Sequence, residues 1–278
     1  MENRQTEKVW FITGSSRGFG RIWTEAALKR GDKVAASARN VNSIAVLKET
    51  YGDQVLTLEV DVTNPEQVQN AIVHTKEYFG RLDVVVNNAG YSLVGTIEES
   101  HTDEVKEMYE TNIMGSIHVI QAALPIFRSQ GYGHILGTSS AVGIYSNPLI
   151  GYYCSSKFAI EAIYDSLSKE VAGLGIKVTM IEPGAYNTEF GSPDSLKMAS
   201  KNLGIYDELK SNLMANLQTL ERGNPTATPE AIFAVVEAEK PPLRLLLGKN
   251  DLPYIKQIYA ERIDEWEAWK AISEAAQG

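Results

Sequence analysis

Tyr153, Lys157 and Ser140 are residue types that can move a proton together. Tyr153 and Lys157 stand four positions apart at the start of a helical pattern, which puts both on one face. A lysine cation beside a phenol favours the phenolate. It is therefore expected to draw the tyrosine down from its ordinary value of about 10, towards the range where a general acid or base works. Ser140 offers a hydroxyl that can polarise a carbonyl oxygen as that oxygen takes on negative charge. Asn112 is an odd choice for a helix interior: it either holds a water behind the lysine or caps a local kink. The chemistry these residues suit is proton transfer to or from the oxygen of a carbonyl or alcohol.

A second group suits a nucleotide. Thr13-Gly14-Ser15-Ser16-Arg17-Gly18-Phe19-Gly20 joins an apolar run to a helical stretch, Arg21 to Lys29. Glycines there let the backbone approach a pyrophosphate, and the helix start offers free N–H groups. Gly14, Ser16, Arg17, Gly18, Phe19 and Gly20 are thus candidate cofactor residues. The acidic residue expected about 20 positions on is replaced by Ala38 followed by Arg39. Without a carboxylate to repel a 2′-phosphate, Arg39 and Arg17 could bind one, which favours NADP(H) over NAD. Asp61, followed by Val62, could accept a hydrogen bond from an adenine amino group, or could serve the turn before Asn64 and Pro65. Asn87-Asn88-Ala89-Gly90 offers small and amide residues against which an adenosine can rest.

The elements that must position these residues alternate along the chain. Short β-branched runs at Lys8 to Thr13, Lys33 to Ala38, Val55 to Val60, Leu82 to Val86, His134 to Thr138, Ile176 to Ile181 and Leu243 to Leu247 read as strands. Most are apolar on both faces, and helical patterns separate them. This predicts an α/β Rossmann-type fold: a doubly wound parallel sheet of about seven strands with helices on both faces, its ligand beyond the carboxyl ends of the strands. Asn64-Pro65-Glu66 opens one helix, Gly31 closes another, and a third starts near Thr102. The chain is expected to form a single domain, 1–278. Residues 189–228 would be an insertion over the site and 251–278 a helical extension, Leu252 to Ala276, whose Trp266 and Trp269 pack against the body or a second subunit.

Composition narrows the partners. The 26 Lys and Arg against 35 Asp and Glu give a net charge of −9, which disfavours nucleic acid and anionic lipid. The polar start and the lack of a long apolar run predict no signal peptide, no membrane span and a cytoplasmic protein. The four histidines lack zinc-site spacing, so no metal is expected, and the single cysteine, Cys154, reads as a space-filler.

Thr13-Gly14-x-x-x-Gly18-x-Gly20, Asn87-Asn88-Ala89-Gly90, Asn112, Ser140, Tyr153-x-x-x-Lys157 and Pro183-Gly184-x-x-x-Thr188 follow one another in an order that resembles the short-chain dehydrogenase/reductase family. The pattern is similar to its 17β-hydroxysteroid dehydrogenase-like and carbonyl reductase branches. The resemblance implies Tyr153 as acid and base, Lys157 on the nicotinamide ribose, Ser140 on the substrate oxygen and Asn112 in a proton relay. It also implies Pro183, Gly184 and Thr188 beside the nicotinamide. Leu93, Ser140, Val142, Tyr145, Leu149, Tyr186 and Phe190 are expected to face the substrate, a bulky, weakly polar ketone or aldehyde. A homodimer or homotetramer is expected. Two alternatives stand beside this reading: a catalytically silent nucleotide-binding protein, and an NAD-dependent alcohol dehydrogenase of the same family. The three-residue gap between Gly14 and Gly18 argues against a sugar-nucleotide epimerase or dehydratase.

Overall fold

Seven apolar runs form the strands of one sheet in a computed structural model of the chain, which describes residues 7–192 and 195–278. Most of the polar start (1–6) and two positions of the expected insertion (193–194) lie outside the described residues. In chain order the elements are β1 (Val9–Ile12), α1 (Gly18–Lys29), β2 (Lys33–Ala38), α2 (Ala45–Tyr51), β3 (Val55–Glu59), α3 (Pro65–Phe79) and β4 (Val84–Asn87). There follow β5 (Ser92–Val94), α4 (Thr102–Tyr109), α5 (Gly115–Gln130), β6 (Gly133–Thr138), α6 (Gly151–Glu170) and β7 (Ile176–Pro183). The chain ends with β8 (Leu196–Met198), α7 (Asp207–Thr219), α8 (Pro229–Glu237), β9 (Arg244–Leu247), α9 (Asp251–Ala268) and α10 (Lys270–Ala275).

The main sheet has the order β3-β2-β1-β4-β6-β7-β9 and every pairing in it is parallel. The chain reverses direction across the sheet between β1 and β4, so a crevice opens there at the carboxyl edge. Alternation along each strand feeds two cores. Phe11, Val85, Ile135 and Met180 face α3, α5 and α6. Trp10, Ile12, Val86 and Ile181 face the opposite layer, where Trp23 and Ile232 of α1 and α8 pack. Trp23 is placed there by a hydrogen bond from its Nε1 to Thr228 Oγ1 at 2.8 Å. Gly137 in β6 is also explained: a Cβ there would come within 2.3 Å of the buried Tyr164 ring. Asn64 caps α3, its Oδ1 accepting from the amides of Glu66 and Gln67, and Gly31 ends α1 with φ of 95°.

Three features depart from expectation. A second, two-stranded parallel sheet pairs β5 with β8, in segments too short for their alternation to be read from sequence. The terminal helix is two helices, broken at Trp269. Neither has a buried residue; Trp266 is 65% and Trp269 61% exposed, so these rings do not pack against the body.

Candidate active site

The carboxyl ends of β1, β2, β4, β6 and β7 open onto one cavity of about 1300 Å³, above the range of a pocket for one small ligand. Its floor near the sheet reversal is the glycine turn. Gly14 and Gly18 have φ of 70° and 54°, a region that favours glycine. A Cβ on Gly20 would meet the Gly14 carbonyl oxygen at 2.3 Å and Asn88 Nδ2 at 2.6 Å, so this close approach requires glycine. Thr13 Oγ1 accepts from the amides of Asn88 and Ala89 at 2.8 and 3.0 Å, tying β1 to β4. The Gly18 amide donates to Glu189 Oε2 at 3.2 Å: the start of α1 already takes an anionic oxygen, and so fits a phosphate.

Gly14, Ser16, Arg17, Gly18, Phe19, Arg39, Asp61, Val62, Asn88, Ala89, Gly90, Pro183, Gly184 and Thr188 all line the cavity, with Ala38 beside Arg39 at its rim. Gly20 does not line it and acts through the turn's packing. Asp61 serves the turn as well, because its Oδ1 accepts from the amide and hydroxyl of Thr63 at 3.0 and 2.8 Å.

Helix α6 brings Tyr153 and Lys157 to the opposite wall, both buried. The Ser140 hydroxyl lies near the Tyr153 phenol and favours its ionised form. Ser140 Oγ also accepts from the Val142 amide at 3.3 Å and donates to the Pro183 carbonyl at 3.4 Å. Lys157 Nζ donates to the Thr138 carbonyl at 2.8 Å and lies 5.7 Å from the centre of the Tyr153 ring. Burial pushes the Tyr153 phenol well above its ordinary value, opposed by the nearby Ser140 hydroxyl. Burial also pulls the Lys157 ammonium down to about 8, opposed by the charge of Glu161. The expected lowering of the tyrosine is thus reversed in the protein alone. Desolvation of the phenolate is the larger effect, and the Lys157 ammonium is engaged by the Thr138 carbonyl.

Asn112 sits in a π-helical turn, Glu110–Met114, between α4 and α5. Its Oδ1 accepts from the Tyr91 amide at 3.0 Å, and its Nδ2 donates to the Tyr91 carbonyl at 2.9 Å and to Ser156 Oγ at 3.1 Å. The local distortion that one reading of this residue expected is present in this turn. A Cβ on Gly90 would lie 3.0 Å from Asn112 Oδ1 and 3.8 Å from Lys157 Nζ, so the three are neighbours.

Of the residues expected to face a substrate, Ser140, Val142, Tyr145, Tyr186 and Phe190 line the cavity, the Phe190 ring 5.8 Å from that of Tyr153. Leu93 and Leu149 do not. Leu93 points from β5 into a small core with Tyr91, Val105 and Met108, while its neighbours Ser92 and Val94 line the cavity. Leu149 is buried with φ of 66°, and its carbonyl accepts from the Gly95 amide at 2.7 Å. Sequence reading missed Asp251, Leu196, Leu213 and Arg222, which complete the wall. Asp251 Oδ1 accepts from the Tyr145 hydroxyl at 2.9 Å, and Tyr254 meets the Tyr145 ring edge-on at 4.9 Å.

Residues 8–198 match the short chain dehydrogenase family. The chain is 34% identical over 276 residues to the oxidoreductase BOA17 of Botryotinia fuckeliana, a match covering 97% of this chain and 99% of that one. A solved short-chain dehydrogenase from Streptomyces avermitilis has the same architecture, with a TM-score of 0.90 and 31% identity over 98% of this chain and 99% of that one. An alcohol dehydrogenase of the archaeon Thermococcus sibiricus, solved with 5-hydroxy-NADP, gives 0.72 and 28% over 87% of this chain and 96% of that one.

Proposed function

Because the chain belongs to the short-chain dehydrogenase family, an oxidoreductase family that works with a nicotinamide cofactor, we propose that it is an NADPH-dependent reductase of a bulky, weakly polar ketone or aldehyde. The observation that carries this reading is the gathering of Tyr153, Ser140 and Lys157 on one cavity wall, the Lys157 ammonium 5.7 Å from the centre of the Tyr153 ring. The glycine turn, Lys157 and Thr188 would hold the dinucleotide, whose reduced ring, when bound, supplies a hydride to the carbonyl carbon. Ser140 holds the carbonyl oxygen by its hydroxyl. Tyr153, kept protonated by burial, gives its proton to that oxygen as the alcohol forms, so its resting state suits the acid role of reduction. Lys157 draws the negative charge left on the phenol. Val142, Tyr145, Tyr186 and Phe190 favour an apolar or aromatic substrate body. Ala38 and Arg39 at the rim favour the phosphorylated cofactor.

The whole chain acts as one catalytic domain in this reading, with 189–228 as its substrate loop and 251–278 as an extension that supplies Asp251. No helix among the described residues is long and apolar enough to cross a membrane. We place the protein in the cytoplasm as a homodimer or homotetramer. Replacing Tyr153 with Phe keeps the ring and removes the proton donor. Turnover of NADPH with a panel of carbonyl compounds, followed by the absorbance of the reduced ring, should fall by at least about 100-fold with cofactor affinity nearly unchanged. Turnover equal to wild type would overturn the assignment. Nucleotide binding without turnover of any carbonyl in the wild type would favour the silent binding protein.

A further inference from the structure

One turn beyond Lys157, helix α6 carries Glu161, which meets Glu182 of β7 at the guanidinium of Arg244. Both are buried, 8% and 2% exposed. Two ionised carboxylates offer each other only acceptors. One oxygen on each side, Glu161 Oε1 and Glu182 Oε1, accordingly has no donor. Arg244 of β9 reaches both groups, its Nε 3.1 Å from Glu161 Oε2 and 3.6 Å from Glu182 Oε1. Arg244 is the cation within ion-pair distance of both buried carboxylates, with Lys157 further off along α6, and keeping both carboxylates ionised away from water is costly.

We infer that Glu161 and Glu182 share one proton, and that this carboxyl pair is the positioning group that sets the charge felt by Lys157. One proton supplies a missing donor and leaves a single negative charge opposite Arg244. The link to Lys157 is spatial as well as sequential: a Cβ on Gly143 would meet Glu161 Cγ at 3.2 Å and Lys157 Cβ at 3.3 Å, so both side chains rise past the same point. Glu161 already supports the lysine's proton against burial. Burial and the neighbouring Glu161 hold the Glu182 carboxyl above the usual carboxylate range, with Arg244 opposing.

The charged groups that face the pair are Arg244 from β9 and Lys157 and Asp165 from α6. Asp165 is itself engaged by Lys169 at 2.7 Å. The Ser139 hydroxyl after β6 adds an uncharged neighbour, 2.7 Å from the same point above Gly143. When the shared proton leaves, a second negative charge appears behind the ammonium and keeps it cationic further up the pH scale.

This inference rests on Lys157 being the cation behind Tyr153, but the proton itself can be observed without turnover. Infrared spectra of the unaltered protein at neutral pH, minus those of Glu182→Gln, should show the carbonyl band of a protonated carboxylic acid. In the unaltered protein that band should fade as the pH is raised. Its absence at neutral pH would mean two ionised carboxylates and would overturn the shared proton, and the pH titration needs no variant to fold. The second arm is the pH profile of kcat. Glu182→Gln holds the pair at one charge, so the high-pH limb should move down by about half a unit or more. A uniform loss of kcat with that limb in place would assign the pair a structural role only and overturn its influence on Lys157. If the infrared band is present but no carbonyl is reduced, the proposed reaction fails while the shared proton stands.

Discussion

At the scale of single side chains, the proposed cofactor preference rests on Ala38 and Arg39. A charge-assisted contact to phosphate contributes about 1.5 to 3 kcal/mol, roughly ten- to a hundredfold in affinity. The wild type should bind NADPH more tightly than NADH. Ala38→Asp with Arg39→Ile should reverse that order, since the new carboxylate repels the phosphate and accepts from free ribose hydroxyls. Quenching of tryptophan fluorescence on titration with each nucleotide measures both affinities; an unchanged ranking in the double variant would place phosphate recognition elsewhere. These rim residues were legible in the sequence because a missing acid and an added base sit at a fixed distance from the glycine turn. The direction of the tyrosine shift was not. Four-residue spacing reports that a cation is near, whereas the depth of burial that opposes it is a property of the packed helix.

The strands and helices impose their own constraints. In β6, the His134 ring is buried with Nε2 3.0 Å from Thr179 Oγ1, and burial, with Lys177 and Lys8 adding repulsion, pulls it down to about 3. The folded value lies below the unfolded one of about 6.5. The stabilising contribution is therefore full above pH ~6.5 and is lost as the pH falls from there towards about 3. Denaturant unfolding should show about 2 kcal/mol lost at this site between pH 7 and 5, and His134→Gln should lack that part of the loss. An identical pH slope in the variant would contradict it. The main sheet could be read from seven apolar runs because its central strands are buried on both faces and only the edge strands β3 and β9 are partly exposed. Strand β5 could not: three residues are too few to show alternation, so Leu93 was expected where Ser92 and Val94 stand. The π-helical turn at Asn112 was visible only as an unusual residue for a helix, since the extra backbone residue has no sequence signature of its own.

At the scale of the whole molecule, the two terminal helices behave differently from the body they follow. Removing 270–278 deletes a helix without a buried residue and should change unfolding stability by less than about 0.5 kcal/mol. Removing 251–278 also takes away Asp251 and Tyr254, the hydrogen-bond and ring partners of Tyr145. That longer truncation should lower the thermal midpoint and raise KM for bulky carbonyls, as thermal scans and kinetics on the same preparations would test. Equal effects of the two truncations would deny the tail its part in the wall. Asp251 escaped sequence reading because its partner lies 106 positions away and no local pattern records that contact. The same contact separates two inheritances within one chain. Tyr153 on α6 and the glycine turn after β1 are packed against the sheet, where nearly any change disturbs a core, but one side of the binding chamber is furnished by the chain's last segment. Descendants of such a protein can exchange or redraft that segment and accept new molecules while the reacting centre stays as it was.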